Sequence, residues 1–166
     1  NIFINDLPRG QRVTTSLFAD DTALSFTGLY PRIAVREIQN QLDTTYHWLH
    51  GWKIKVNPTK CSVVVFSRRP KRFPTPRLTL GGEVLPVASS AKYLGVILDS
   101  KLSFKPHIEA VRAKAAGVRH MLFPLLSYSS PLSVQGKLIL YKSLILPILT
   151  YAIVAWGHSK PSTLRP

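Results

Sequence analysis

The chain has 166 residues and a mass of 18.6 kDa, a length that suits one ordinary domain or two small ones. Hydrophobic residues make up 45% of it, enough for a packed core, which argues against a wholly disordered protein. Lys and Arg number 22 against 8 Asp and Glu, giving a net charge of +14, and this excess predicts a polyanionic partner, nucleic acid ahead of an anionic membrane. The single cysteine, Cys61, excludes an internal disulfide framework and a cysteine-rich zinc site.

The basic residues are concentrated in two segments that contain no acidic residue. One lies between Asp43 and Glu83, and the other follows Glu109 to the end of the chain. Segments of this kind bind phosphates by releasing condensed counterions. The charge distribution therefore predicts a surface that contacts a nucleic-acid backbone.

The front of the chain predicts a mixture of strands and one helix. Residues 13–26 form a predicted hairpin with two acidic residues at its tip, and residues 1–7 a helix end or connector. A helix is expected to begin at Pro31 and end at Gly51, because Ile38, Leu42, Tyr46 and Leu49 recur at helical spacing. Residues 68–76 are expected to be an exposed basic loop. Further strands are predicted at 52–57, 62–66, 78–80, 83–85 and 93–98.

The back of the chain predicts only helices. Residues 106–126 have one helical period, and a second helix is expected to begin at Ser130–Pro131, with the serine as its cap. The apolar run 138–156 contains Lys142 and Pro147, whereas a membrane span needs about 20 nearly uncharged residues. We therefore expect a buried helix that ends before Pro147, followed by a second apolar segment.

Asp20 and Asp21 form the only adjacent acidic pair in the chain. Burying two unpaired carboxylates is costly, and a hairpin tip that presents them to a divalent cation avoids that cost. Mg²⁺ prefers oxygen ligands, commonly one or two carboxylates together with substrate phosphates. The alternative is that an Asp-Asp pair only favours a turn, which it often does.

The surrounding residues resemble those of a known family. Residues 18–24 (Phe-Ala-Asp-Asp-Thr-Ala-Leu) resemble the catalytic signature of reverse transcriptases, in the form carried by non-LTR, jockey-like retrotransposons. Other blocks in the same order are similar to the family's blocks, including the primer-grip block. These blocks are residues 1–8, 52–61, 92–99, 102–108 and 141–157.

This resemblance implies an α+β fold. It implies a partial polymerase palm at residues 1–102, in which a hairpin-rich antiparallel sheet packs on a helix, and an all-helical thumb at 103–166. It also implies a function as part of an RNA-directed DNA polymerase, with an RNA template, a DNA primer and deoxynucleoside triphosphates as partners. The family copies RNA at chromosomal DNA, so a nuclear location is expected, and no membrane contact.

The resemblance implies roles for particular residues. Asp20 and Asp21 would hold Mg²⁺, and Lys60 would shield triphosphate charge or protonate the leaving pyrophosphate. Phe18 stands where many relatives carry Tyr, a change that bears on nucleotide selection. The primer and template would contact Tyr93, Leu94, Gly95, Lys105, Arg112, Lys114 and Arg119.

The same resemblance implies that two-metal chemistry needs a further carboxylate, on a strand about a hundred residues before the Asp pair. This chain does not contain that strand, so it would depend on the remainder of its own polyprotein upstream, and alone it is expected not to polymerise. Two alternatives stay open at this point. The chain is a non-catalytic nucleic-acid-binding remnant of such an element, or it is a metal nuclease that uses the same Asp pair.

Overall fold

A computed structural model describes residues 4, 6–67 and 75–159. The chain divides into two compact units, residues 1–94 and residues 95–166. Both the predicted connector at 1–7 and the predicted basic loop at 68–76 fall largely outside the described residues. The elements in chain order are β1 (Thr14–Phe18), β2 (Asp21–Ser25), α1 (Pro31–Gly51), a 3₁₀ turn (Pro58–Lys60), β3 (Thr79–Leu80), β4 (Glu83–Val84), β5 (Ser90–Tyr93), β6 (Val96–Asp99), α2 (Lys105–Met121), α3 (Phe123–Leu126), α4 (Val134–Leu140), a π-helical turn (Tyr141–Ile145), α5 (Leu146–Thr150) and α6 (Ile153–Trp156).

The predicted mixture of helices and small antiparallel sheets is confirmed. Strands β1 and β2 pair antiparallel from Thr14 opposite Ser25 to Phe18 opposite Asp21, which leaves Ala19 and Asp20 as a two-residue turn. Strands β3 and β4 form a second, shorter hairpin. Both hairpins were expected from their β-branched and glycine-containing sequences.

Helix α1 begins at Pro31 and its last helical residue is Gly51, as predicted. Its apolar residues pack on a core of leucines around the β3–β4 hairpin. The buried residues of that core are Leu78, Leu80 and Leu85, and the half-buried residues against it include Ile38, Leu42 and Tyr46. The periodicity of α1 therefore identified the face that covers this core.

Two glutamines of α1 connect it to neighbouring segments. Gln39 donates to the carbonyl of Thr79 at 3.0 Å and accepts from the Thr79 N–H at 2.9 Å, so its amide pairs with strand β3 as a second strand would. Buried Gln41 donates to the carbonyl of Pro8 at 2.6 Å. These contacts satisfy backbone groups that a hydrophobic pattern does not reveal.

The predicted strand at 52–57 is wrong, because residues following α1 close a helix-ending motif. Lys53 has φ of +57°, its N–H donates to the carbonyl of His50, and the Ile54 N–H donates to the carbonyl of Leu49. These are the two hydrogen bonds of a Schellman motif, here with lysine at the position that glycine usually takes. The predicted strand at 62–66 is also wrong, since only Val63 pairs, in an isolated bridge to Val87.

The predicted strand at 93–98, where the first unit ends and the second begins, is interrupted. Leu94 and Gly95 have φ of +45° and +80°, and form a turn between β5 and β6. The core of the second unit consists of buried Val96, Phe104, Ile108 and Trp156.

The helix boundaries of the second unit differ from the prediction at three points. The predicted helix at 106–126 breaks after Met121, one turn before Pro124, which has no N–H to donate. The next helix begins after Ser133, whose hydroxyl accepts from the Gly136 N–H at 3.1 Å, and not at Ser130–Pro131. That helix does not end before Pro147, because a π-helical turn at Tyr141–Ile145 precedes the proline and α5 continues through it.

Among the described residues, no helix has the length and hydropathy needed to cross a membrane.

Candidate active site and nucleic-acid surface

The acidic pair lies at the tip of the β1–β2 hairpin. Asp20 is the second residue of the turn, Asp21 is the first residue of β2, and both are exposed. Within the described part of the chain, neither carboxylate has a hydrogen bond or an ion pair. Two adjacent like charges are thus left to solvent or to a ligand, an arrangement that adds nothing to the fold.

The turn that carries Asp20 has an unfavourable backbone. Ala19 has φ of +52°, in the left-handed region that costs a residue with a side chain about 1–2 kcal/mol. Glycine or asparagine would be the ordinary choice at this position of a two-residue hairpin. An observed backbone outlier beside a pair of unpaired carboxylates supports a functional role for the tip.

The chemistry of the tip fits a divalent cation only in part. Carboxylate oxygens are the ligands that Mg²⁺ prefers, and those of Asp20 and Asp21 have no partner to displace among the described residues. However, no group of three or more His, Cys, Asp or Glu residues that could hold a metal ion occurs among the described residues. The pair therefore offers some of the ligands of a metal site, and the others must come from elsewhere.

Lys60 is the last residue of the 3₁₀ turn Pro58–Lys60 and is exposed. Asn57 caps this turn by accepting from the Thr59 N–H at 3.0 Å and from the Thr59 hydroxyl at 2.6 Å. The cap fixes the backbone that presents Lys60. Lys60 has no hydrogen bond or ion pair with the aspartates in the described structure, so the two predicted parts of the site are not joined by a direct contact.

The predicted primer-contacting residues lie in and beside the β5–β6 turn. Tyr93 ends β5 and is half-buried, Leu94 is half-buried in the turn, and Gly95 is exposed. The left-handed backbone of Gly95, with φ of +80°, suits glycine.

Helix α2 carries the four predicted duplex-binding cations, all exposed. Residues seven apart lie about 20° apart around a helix, so Lys105, Arg112 and Arg119 form one row about 21 Å long. Lys114 lies about 200° from Arg112 and projects on the other flank. The side of α2 between these two flanks is buried, and it carries His107, Ile108 and Ala115.

Sequence reasoning missed Asp99 as the residue that holds the start of α2. Its carboxylate accepts from the backbone N–H groups of Lys101 at 3.2 Å, Ser103 at 3.1 Å and Phe104 at 2.7 Å. Burial alone would raise the pKa of Asp99, but hydrogen bonds from Ser103, Phe104 and Lys101 outweigh it and lower the pKa. An Asp six residues before the first residue of a helix that has no acidic residue in its first turn is a sequence signal that could have identified this role.

The structure places His107 in the core of the second unit. It is 3% exposed, its ring packs edge-on against Trp156 at 5.6 Å, and its Nδ1 accepts from the Ile97 N–H at 3.4 Å. Desolvation lowers the pKa of His107. The residue is therefore a neutral structural group, and its Nε2 carries the proton.

Comparison with known proteins finds matches to one family over most of the chain. The family model described as reverse transcriptase (RNA-dependent DNA polymerase) matches residues 1–98. The chain is 31% identical over 98% of its length to the probable RNA-directed DNA polymerase from transposon BS of Drosophila melanogaster, and 30% identical over 99% to the RNA-directed DNA polymerase from mobile element jockey of the same species. It is 25% identical over 84% of its length to the retrovirus-related Pol polyprotein from type-1 retrotransposable element R1 of Bradysia coprophila. No solved structure gives a significant match.

The chain belongs to the reverse transcriptase family. The similarity to polymerases of non-LTR retrotransposons, which its motifs indicated, is confirmed by these relatives. The chain spans 19% of the length of the BS and jockey proteins that it matches.

Proposed function

We propose that this chain provides the later part of the catalytic domain of an RNA-directed DNA polymerase that copies the RNA of a non-LTR retrotransposon. Residues 1–102 act as palm and residues 103–166 as thumb. The observation that carries the proposal is the exposed Asp20–Asp21 tip, on a strained two-residue turn and without a partner in the described part of the chain, in a chain of this family.

In this function, Asp20 is a ligand of the catalytic cation, which we propose is Mg²⁺, and Asp21 supports the second metal position or the local geometry. A cation held there would supply Lewis-acid stabilisation of the negative charge that develops during phosphoryl transfer. Since the tip supplies too few ligands alone, we propose that a carboxylate from outside this chain completes the site. Lys60, exposed on its capped turn, then neutralises triphosphate charge or donates a proton to the departing pyrophosphate.

The remaining proposed contacts hold the nucleic acid. The β5–β6 turn, with Tyr93, Leu94 and Gly95, positions the primer end. The exposed cations of α2 contact the phosphates of the template–primer duplex, which the protein reads by shape and charge and not by base sequence. The net charge of +14 supports this role.

A second candidate function is a nucleic-acid-binding remnant with no catalytic activity. One observation favours it, the absence of a three-ligand metal group among the described residues. The metal nuclease considered earlier finds no support there either, since a nuclease would need the same missing ligands.

The test compares Asp20→Asn with the unchanged sequence inside a polypeptide that includes the upstream segment present in the relatives. Primer extension on an RNA template with Mg²⁺ and deoxynucleotides should fall by at least about 10³-fold, because an amide is a poor ligand for a hard cation. Duplex affinity, measured by fluorescence anisotropy, should stay unchanged, since Asp20 is exposed and unpaired.

Asp43→Asn, which alters an exposed acid on α1, is the matched control and should leave extension at the original rate. Extension that survives Asp20→Asn would refute the catalytic proposal and favour the remnant. The 166-residue chain alone is expected to give no extension product, and a product from it would overturn the proposed need for an outside carboxylate.

A further inference from the structure

Tyr151 is an exposed aromatic residue whose backbone is fixed on both sides. The residue is 56% exposed. Its N–H donates to the carbonyl of Pro147 at 3.0 Å, and its own carbonyl accepts from the indole N–H of Trp156 at 2.9 Å. Trp156 is in turn buried in the core of the second unit, so the position of Tyr151 is determined by the core.

The ring of Tyr151 lies against Gly95. A Cβ placed on Gly95 would come within 3.0 Å of Cε1 of Tyr151, tighter than most such contacts, so the ring would have to shift to admit any larger residue. Gly95 also has φ of +80°, which independently favours glycine. The backbone of Gly95 and the tyrosine ring are therefore in contact within this unit.

An exposed aromatic ring held in this way loses little conformational entropy when a planar group stacks on it. Nucleic-acid bases are such groups, and base–aromatic stacking is tolerant of sequence because every base has a π-face. The same unit carries the row of exposed cations on α2, which supplies attraction for the phosphates of the same ligand.

We propose that Tyr151 is a nucleic-acid-binding residue that stacks on an unpaired or terminal base of the strand held at Gly95. The proposal deepens the proposed function and rests on its assignment of Gly95 to the primer end. It adds a stacking surface, provided by the segment between α5 and α6, to contacts otherwise made by backbone and phosphate-binding cations.

The test is binding of the 166-residue chain to a fluorescein-labelled RNA–DNA hybrid with a recessed DNA 3′ end, measured by anisotropy. Replacing Tyr151 by Leu keeps an apolar side chain against Gly95 but removes the π-face, and should weaken binding by about 5-fold or more. Tyr151→Phe keeps the ring and should bind as the unchanged chain does. Tyr128→Leu, which changes a fully exposed tyrosine in the loop after α3, should have no effect.

The outcomes separate this inference from the proposed function. If the unchanged chain does not bind the hybrid, the proposed nucleic-acid contact of this chain fails, and with it the inference. If it binds and Tyr151→Leu binds equally well, only the inference fails. An equal loss in Tyr151→Phe and Tyr151→Leu would also overturn it, because the hydroxyl and not the ring would then carry the contact.

A second measurement needs no variant and so does not depend on the fold of one. A hybrid carrying 5-iodouracil at the primer terminus is irradiated with the unchanged chain, and the cross-linked peptide is mapped by mass spectrometry. Cross-linking at Tyr151 is expected. Cross-links that map only to other residues would overturn the proposal.

Discussion

At the scale of single residues, His107 links the stability of the second unit to pH. Its Nδ1 accepts from the Ile97 N–H, and its Nε2 is buried without a hydrogen-bond partner among the described residues. A second proton would have to go on Nδ1, where it would oppose the Ile97 donor. Both this geometry and the burial that lowers the pKa of His107 favour the neutral ring.

We predict that acidification destabilises the chain through His107. The unfolded chain takes up this proton near pH 6.5 and the folded chain resists it, so the contribution is complete above pH 6.5 and is lost as the pH falls below it. One proton limits the slope to about 1.4 kcal/mol per pH unit. Urea unfolding of the unchanged chain between pH 8 and pH 5 measures the slope.

The control variants separate His107 from the other histidines. His107→Asn keeps an acceptor for Ile97 and should flatten the pH dependence, whereas His120→Asn, at an exposed position of the same helix, should leave it as it was. Identical slopes for His107→Asn and the unchanged chain would contradict the prediction.

At the scale of elements, the two turn glycines of the β3–β4 hairpin are expected to contribute unequally to the free energy of unfolding. Gly81 and Gly82 both have positive φ, +61° and +87°. A Cβ on Gly81 would come within 2.5 Å of the ring of Tyr46 on α1, whereas one on Gly82 would meet nothing within 4 Å. The two positions therefore share the backbone strain and differ in the steric clash.

We predict that Gly81→Ala lowers the free energy of unfolding by about 2–4 kcal/mol and Gly82→Ala by about 1–2 kcal/mol. Denaturant unfolding of the two variants measures the difference. In a Tyr46→Leu background the excess cost of Gly81→Ala should shrink, because the ring that the new Cβ meets is gone. Equal losses of unfolding free energy in the two alanine variants would contradict the prediction, because they would show that the Tyr46 ring moves aside at no energetic cost.

The elements that the sequence predicted well are those in which a local pattern and the tertiary contacts agree. The β1–β2 hairpin and α1 follow from alternation, helical period and the position of Pro31. The strand predicted at 52–57 is absent because these residues, although they alternate in polarity, begin with a helix-ending motif. In that motif Lys53 has the left-handed backbone that glycine usually adopts, so the sequence does not reveal it.

The sequence predicted the residues of the candidate site that belong to a motif and missed those that act through tertiary contacts. The motif indicated Asp20 and Asp21, and the structure shows them exposed at a hairpin tip, although their catalytic role stays a prediction. Gln39 and Tyr151 gave no usable signal, because their importance lies in which backbone group or glycine they contact. These contacts join residues 40 and 56 positions apart and have no period in the sequence.

At the scale of the whole molecule, the net charge of +14 is not in itself a binding site. Charge gives general attraction to polyanions, and a site requires cations aligned along the ligand. Helix α2 offers such an alignment in Lys105, Arg112 and Arg119, with Lys114 on the opposite flank as an internal comparison. If the whole surface bound nucleic acid diffusely, the two flanks would be equivalent.

We predict that Arg112→Gln reduces the slope of log affinity against log salt concentration by about 0.9, the value for one lost phosphate contact, and that Lys114→Gln reduces it by less than half as much. Both changes remove one exposed positive charge from the middle of the same helix, so they alter the net charge equally. A difference between them therefore reports the alignment of the row and not the total charge. The slope is measured with an RNA–DNA hybrid between 50 and 200 mM salt, the range in which counterion release dominates such affinities.

Combining Lys105→Gln, Arg112→Gln and Arg119→Gln should reduce the slope by about 2.7, since each residue of the row contacts its own phosphate. Equal effects of Arg112→Gln and Lys114→Gln would mean that no single duplex path follows this flank of α2, and that the bound nucleic acid samples the basic surface without a fixed orientation.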